Sequence, residues 1–296
     1  MLPRFDYVRP RSLKALLSIL EEKKKEAKVF AGGTDLFVQM KKGLIHPHLL
    51  ADIKALPHLS KISLTRKGDL TIGASVTLEV LERWAKARKD WFALSIAAGC
   101  VGSEQIRNRG TVVGNVCRAS PAGDMAPMLI ALDGGVEIQG IRGKKVLSVE
   151  EFITGPGETL LRPGEIVTCL RIPKPEAMTT AVYLKLGARR AMDTAIVAIA
   201  VRLTLDKTSK KVRRSRIVLG AVAPKPIRVH EAEELLVKQG LMPGSVEEAS
   251  VLAKRYSRPI TDLRGTEGYR AEMVRVLTRR AITQAWETLT GKEVKA

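Results

Sequence analysis

The spacing of apolar residues gives the chain three successive rhythms. In the first, Leu13, Leu16, Leu17 and Leu20 follow an i, i+3, i+4, i+7 stripe behind Ser12, which predicts an amphipathic helix with a serine cap. Val29–Ala31 reads as a short strand, Asp35–Lys42 as a helix ending near Gly43, and Leu50–Ile53 as a second strand, a small α/β unit. The second rhythm starts after Pro57. It predicts a strand over Leu70–Ala74, a helix over Leu78–Ala87 capped by Thr77 and a buried helix over Trp91–Val101. A short helix over Met125–Leu132 and strands over Val136–Ile138, Lys145–Leu147 and Glu165–Ile172 complete it, and Pro173 and Pro175 close it. In the third, strands over Thr194–Asp206 and Val212–Val222 flank a hairpin turn at Lys207-Thr208-Ser209-Lys210. Helices follow over Val229–Gln239, behind a capping box of Ser245 and Glu248, and over Glu267–Leu289. That last helix sets Met273, Leu277, Ala281, Ala285 and Leu289 on one face and stops before Gly291. These rhythms divide the chain at 1–57, 58–175 and 176–296.

Composition narrows the picture. The 296 residues are 45% hydrophobic and 27% charged, enough to bury a sizeable core. The longest apolar run, Ala195–Val201, suits a buried strand and is far too short to span a bilayer, and the N-terminus lacks the apolar segment of a signal peptide. A cytoplasmic location is expected. Cys100, Cys117 and Cys169 form no C-x-x-C pair, so neither a disulfide framework, a zinc site nor an iron–sulfur cluster is expected. His46 and His48, flanking Pro47, read as a surface loop. No metal site is expected in this chain. The net charge of +19 raises nucleic-acid binding, but the basic residues are dispersed and aromatics are only 4%, too few for a base-stacking platform. An acidic partner subunit or a thermophilic habit accounts for the charge better.

The candidate chemistry lies in two Gly-containing stretches, Ala31-Gly32-Gly33-Thr34-Asp35 and Thr111-Val112-Val113-Gly114-Asn115. Glycine lets several backbone N–H groups converge on an anion, and a helix start beside such a turn adds partial positive charge. Both stretches have the local logic of an anion-binding turn, with a plain strand-to-helix turn as the alternative for either alone, and two of them suit a pyrophosphate with a sugar at each end. Their position on different modules favours a ligand in the cleft between. There is no G-x-G-x-x-G and no Walker A lysine motif. Nor is there a Ser-His-Asp set or a paired carboxylate cluster, so no catalytic residue is assigned.

The residues around these turns carry a resemblance. Val29 to Leu36, VFAGGTDL, resembles the first FAD-binding loop of the FAD-binding (medium) subunits of molybdenum hydroxylases, the carbon monoxide and xanthine dehydrogenase type. Residues 102–127, GSEQIRNRGTVVGNVCRASPAGDMAP, resemble the second signature of that family, with TVVGN where T-[IVL]-G-G-N is usual. The stretch DLRGTEGYRAEMVRVLTRRA is similar to its last helical region, so the likeness runs from Pro10 to the final helix. Val113 departs from the family's glycine, which implies a tighter or slightly displaced backbone contact to phosphate there.

The resemblance implies an α+β fold: a two-part FAD-binding domain of the PCMH type with FAD in the inter-module cleft, followed by a C-terminal α+β domain. It implies noncovalent FAD held by Val29, Phe30, Ala31, Gly32, Gly33, Thr34, Asp35 and Leu36, with Thr34 as a side-chain donor. Thr111, Val112, Val113, Gly114 and Asn115 would contact the flavin side. Asp124 would accept from a sugar hydroxyl, Ile166 and Val167 would make a backbone contact, and Ala97 another. Lys185 would approach the flavin and stabilise its reduced, anionic form. Gln105, Arg107 and Asn108 also match, toward FAD, a partner subunit or the loop itself. The implied activity is electron transfer from [2Fe–2S] clusters on a small subunit through FAD to an external acceptor. A large subunit with the molybdenum cofactor would oxidise the substrate, in a dimer of heterotrimers. The readings left beside it are a self-contained FAD oxidoreductase of the same fold and a non-enzymatic basic binding protein.

Overall fold

The structure, a computed structural model, describes residues 2–189, 192–208 and 211–291. The first unit contains β1 (Asp6–Val8), α1 (Leu13–Lys23), β2 (Ala27–Phe30), α2 (Leu36–Lys41) and β3 (Leu49–Asp52). Its three strands are parallel in the order β1-β3-β2, and Ala51 pairs with both Val8 and Val29. Ser12 caps α1 as its sequence position predicts, its Oγ accepting from the N–H of Ala15, and Leu16, Leu17 and Leu20 turn inward. The predicted strand Val29–Ala31 ends one residue earlier, because Ala31 already begins the turn.

The second unit begins with β4 (Ile62–Leu64), β5 (Leu70–Gly73), α3 (Leu78–Lys86), α4 (Phe92–Gly99), α5 (Glu104–Arg109), α6 (Val112–Arg118) and α7 (Met125–Ala131). It continues with β6 (Gly135–Gly140), β7 (Gly143–Ser148), α8 (Val149–Phe152), β8 (Ile153–Gly155), β9 (Glu158–Thr159) and β10 (Ile166–Ile172). Five strands form a sheet in the order β4-β5-β10-β6-β7, with β10 antiparallel to both of its neighbours. Thr77 caps α3. Every residue of α7 is buried. The stretch Thr111–Asn115 is not a free-standing turn as its glycine suggests. Thr111 is the N-cap of α6: its Oγ1 accepts from the N–H of Gly114, which starts a helix there despite two β-branched valines.

The third unit is β11 (Thr179–Leu186), β12 (Val197–Leu205), β13 (Val212–Gly220), β14 (Ile227–Arg228), α9 (His230–Gln239), α10 (Pro243–Tyr256) and α11 (Glu267–Thr290). Its strands run antiparallel in chain order, and β12 with β13 is the predicted hairpin; Ser209 and Lys210 of its turn lie outside the described residues. All of β12 is buried, and side chains alternate across a strand. Val197, Ile199, Val201 and Leu203 therefore pack into the core under α9–α11, while Ala198 and Ala200 join the core of the second unit. The two folding units thus share one sheet as a wall. Arg202 continues the second face and reaches Asp133, just past α7, at 2.5 Å, and Arg216 of β13 holds the other oxygen of that carboxylate at 3.1 Å. The proposed Ser245–Glu248 box does not form. Pro243 opens α10 two residues earlier, and the Oγ of Ser245 accepts from the N–H of Met242 from inside the first turn. The last helix ends where predicted, with Gly291 in the left-handed region. The architecture is α+β, an FAD-binding-type domain followed by a C-terminal domain.

Candidate functional site

A cleft of about 850 Å³ opens between the first and second units, within the size range of cofactor sites. One wall is the turn after β2, through Val29, Ala31, Gly32, Gly33, Thr34, Asp35 and Leu36. The opposite wall is the start of α6, through Thr111, Val113, Gly114 and Asn115, and the start of β10, through Ile166 and Val167. The structure therefore brings thirteen of the residues singled out in the sequence around one space.

The close approach of the two walls explains the glycines. A Cβ on Gly32 would lie 2.2 Å from the carbonyl oxygen of Arg109 and 2.9 Å from Cα of Gly110. These obstacles are main chain and cannot rotate away. Gly33 sits at φ +75°, and a Cβ there would strike the rings of Phe30 and Phe37. Beside them, Arg118 of α6 pairs with Asp35 at 2.8 Å, a second tie between the walls.

Other polar groups of the cleft have no partner in the chain. Among the described residues no internal hydrogen bond takes the N–H groups of Gly32, Gly33, Thr34 or Asp35. Oδ1 of Asn115 is buried and has no partner. Buried polar atoms are normally satisfied, and one left alone costs about 1–3 kcal/mol. Cys117 also lines the cleft, and burial pushes its thiol up to about 12, so it stays protonated at neutral pH.

Five of the expected residues lie outside the cleft. The ring of Phe30 turns away, edge-on to Phe37. Val112 and Ala97 are fully buried, the first as N1 of α6 and the second within α4, so their side chains serve the core. Asp124 and Lys185 form a separate buried cluster. Nζ of Lys185 donates to Oδ2 of Asp124 at 3.0 Å and to the carbonyl oxygen of Cys100 at 2.8 Å, and the hydroxyl of Tyr183 donates to Oδ1 of Asp124 at 2.8 Å. Asp124 precedes α7 but caps no N–H of it, because both oxygens are spent on β11. Burial raises its carboxyl above the ordinary range, and Lys185 and Tyr183 recover only part of that cost. Burial, reinforced by the negative charge of Asp124, raises the phenol of Tyr183 well above its usual value. Arg107 is also internal, bonded to Glu82 of α3 at 2.9 Å.

The sequence reading missed the rest of the lining. Lys24, Lys25 and Arg162–Glu165 edge the cleft, and Arg118 lies one helical turn beyond Asn115. Only Arg118 carried a signal, its i+3 spacing on the same helix face.

Residues 3–175 match the family described as the FAD binding domain in molybdopterin dehydrogenase, and residues 182–285 match the CO dehydrogenase flavoprotein C-terminal domain. Carbon monoxide dehydrogenase medium chain from Afipia carboxidovorans is 31% identical over 287 residues, 95% of this chain and 96% of that one. Xanthine dehydrogenase FAD-binding subunit from Escherichia coli O157:H7 is 28% identical over 97% of both. Among solved structures, a chain of Cu,Mo-CO dehydrogenase superposes with a TM-score of 0.90 at 31% identity, covering 97% of this chain and 99% of that one.

Proposed function

As a member of the FAD-binding family of molybdopterin dehydrogenases, this chain is an FAD-binding oxidoreductase subunit, and we propose that it is the electron outlet of a molybdenum hydroxylase complex. In this reading it receives electrons from [2Fe–2S] clusters on a small partner subunit while a large subunit with the molybdenum cofactor oxidises the substrate. The assembly is a cytoplasmic dimer of heterotrimers. No helix among the described residues is long and apolar enough to cross a membrane. When bound, FAD supplies the means to take electrons singly and release them singly or in pairs.

The observation that carries the reading is the run of unpaired N–H groups from Gly32 to Asp35 on one wall of the cleft, with Asn115, whose buried amide oxygen has no partner among the described residues, on the other. Such a pair of walls fits a dinucleotide: N–H donors for the pyrophosphate and an acceptor for a hydroxyl on its flavin side. The N–H groups of Gly32 to Asp35 would hold the pyrophosphate, and the hydroxyl of Thr34 would add a donor. Val113, Ile166 and Val167 wall the cleft and exclude water. FAD would be held noncovalently, the buried thiol of Cys117 staying protonated. Lys185, paired with Asp124, stands behind the cleft, bonded to the carbonyl of Cys100, whose neighbour Val101 lines it.

The test is purification of the full chain and titration with FAD. A yellow complex whose chromophore is released by acid precipitation is expected, and reduction of the flavin by substrate only when the partner subunits are present. A chain that takes up no FAD contradicts the reading, and substrate turnover by the chain alone contradicts the division of labour.

A further inference from the structure

The first loop has a brace outside the cleft. Lys54 follows β3, and its ammonium group meets three things. It pairs with Oδ1 of Asp52 at 2.8 Å, donates to the carbonyl oxygen of Ala31 at 3.2 Å, and stands 3.6 Å from the centre of the Phe30 ring. Asp52 is itself held. It is buried, and the hydroxyl of Tyr7 and the N–H of Lys54 both donate to it. Burial opposes its ionisation, but these donors and the lysine charge hold its carboxyl below the ordinary range, so the pair is ionic. None of Tyr7, Asp52 and Lys54 lines the cleft.

The consequence follows from peptide geometry. The chain has no cis peptide among its described residues, and in a trans peptide the C=O and N–H point in opposite directions. A carbonyl of Ala31 turned toward Lys54 therefore turns the N–H of Gly32 away from it. Gly32 lines the cleft, Lys54 does not, and no internal hydrogen bond among the described residues takes that N–H, so it is left for the ligand space. The peptide between Ala31 and Gly32 would otherwise be free to turn over, since glycine tolerates both orientations. Turned over, it would present a carbonyl oxygen where an anion is to bind.

We propose that Lys54 is a positioning residue that locks the Ala31–Gly32 peptide with its N–H toward the cleft, and so prepares the first loop for the pyrophosphate. The ring of Phe30 transmits the same restraint, because the lysine lies over it and Gly33 lies against its edge. The inference rests on the reading of the cleft as the FAD site.

Lys54→Met keeps the aliphatic stem and removes the charge. It should weaken both FAD and ADP, which share the pyrophosphate, by about tenfold, the size of one charge-assisted hydrogen bond. Lys54→Arg should restore most of the loss. The double variant Lys54→Met/Asp52→Asn leaves no buried carboxylate unpaired, so its apoprotein should melt near the wild type while binding stays weak. Wild-type affinity of Lys54→Met for FAD overturns the brace and leaves the proposed function standing. Recovery of affinity in the double variant also overturns it, since the loss then came from the unpaired Asp52. A wild-type chain that binds neither FAD nor ADP overturns the cleft reading and the brace together.

Discussion

Two buried polar regions lie side by side in this molecule, and they are built on opposite terms. In the cleft, Oδ1 of Asn115 has no partner and the N–H groups after Ala31 are unpaired. In the cluster beneath β11, both oxygens of Asp124 are taken, the hydroxyl of Tyr183 is used, and Lys185 is bonded twice. The family resemblance assigns both regions to the flavin. Their hydrogen bonding differs: one has groups with no partner among the described residues, and the other is bonded internally between two units, since Asp124 and Cys100 belong to the second unit and Tyr183 and Lys185 to the third.

The comparison breaks first at Lys185. Lys185→Met strands a buried carboxylate, and losing one partner of such a pair costs about 3–5 kcal/mol. Denaturant unfolding of the apoprotein should show that loss, with a much smaller change in FAD affinity. A large loss of FAD binding at unchanged stability would instead place Lys185 in the flavin site. On the other side, Gly32→Ala forces a methyl into the main chain at Arg109 and Gly110. FAD affinity should fall about a hundredfold, ~2.7 kcal/mol, in an equilibrium titration.

Asn115→Ala sharpens the contrast through its signs. It should weaken FAD by about tenfold, one hydrogen bond, yet leave the apoprotein as stable or more so, because an unpaired buried acceptor has gone. Removal of a partnered group cannot give that combination. The smallest effect concerns pH. Burial opposes ionisation of Asp133, but Arg202 and Arg216 prevail and hold its carboxyl below the usual range. A depressed folded value means that the stability it contributes is present above the unfolded value of about 3.9 and is lost as pH falls through the folded one. Thermal melts of Asp133→Asn should therefore show a lower melting temperature at neutral pH and a shallower decline in acid.

What the sequence displayed follows from how local each signal is. Ser12, Thr77 and Gly291 act on residues within one turn, and their helices start or stop where the pattern says. Thr111 acts as locally, but Val112 and Val113 disguise the helix it caps, so the stretch reads as a loop. Pro243 displaces the expected role of Ser245 by opening the helix before it. The brace at Lys54 and the bridge at Asp133 depend on partners 23 and 83 residues away, which no periodicity carries. The thirteen cleft residues were legible through the family resemblance, which the Gly-containing stretches at this close approach carry. The pairing of Asp124 with Lys185 was not, because a buried ion pair and a ligand contact draw on the same residue types.

The central claim is that the cleft receives FAD while the cluster serves the fold. Amide hydrogen exchange of the full chain with and without FAD tests it most directly. Strong protection of residues 32–36 and 111–118 on binding, with 183–186 unchanged, is the predicted result. Protection centred on 183–186, or none in the first loop, would contradict it.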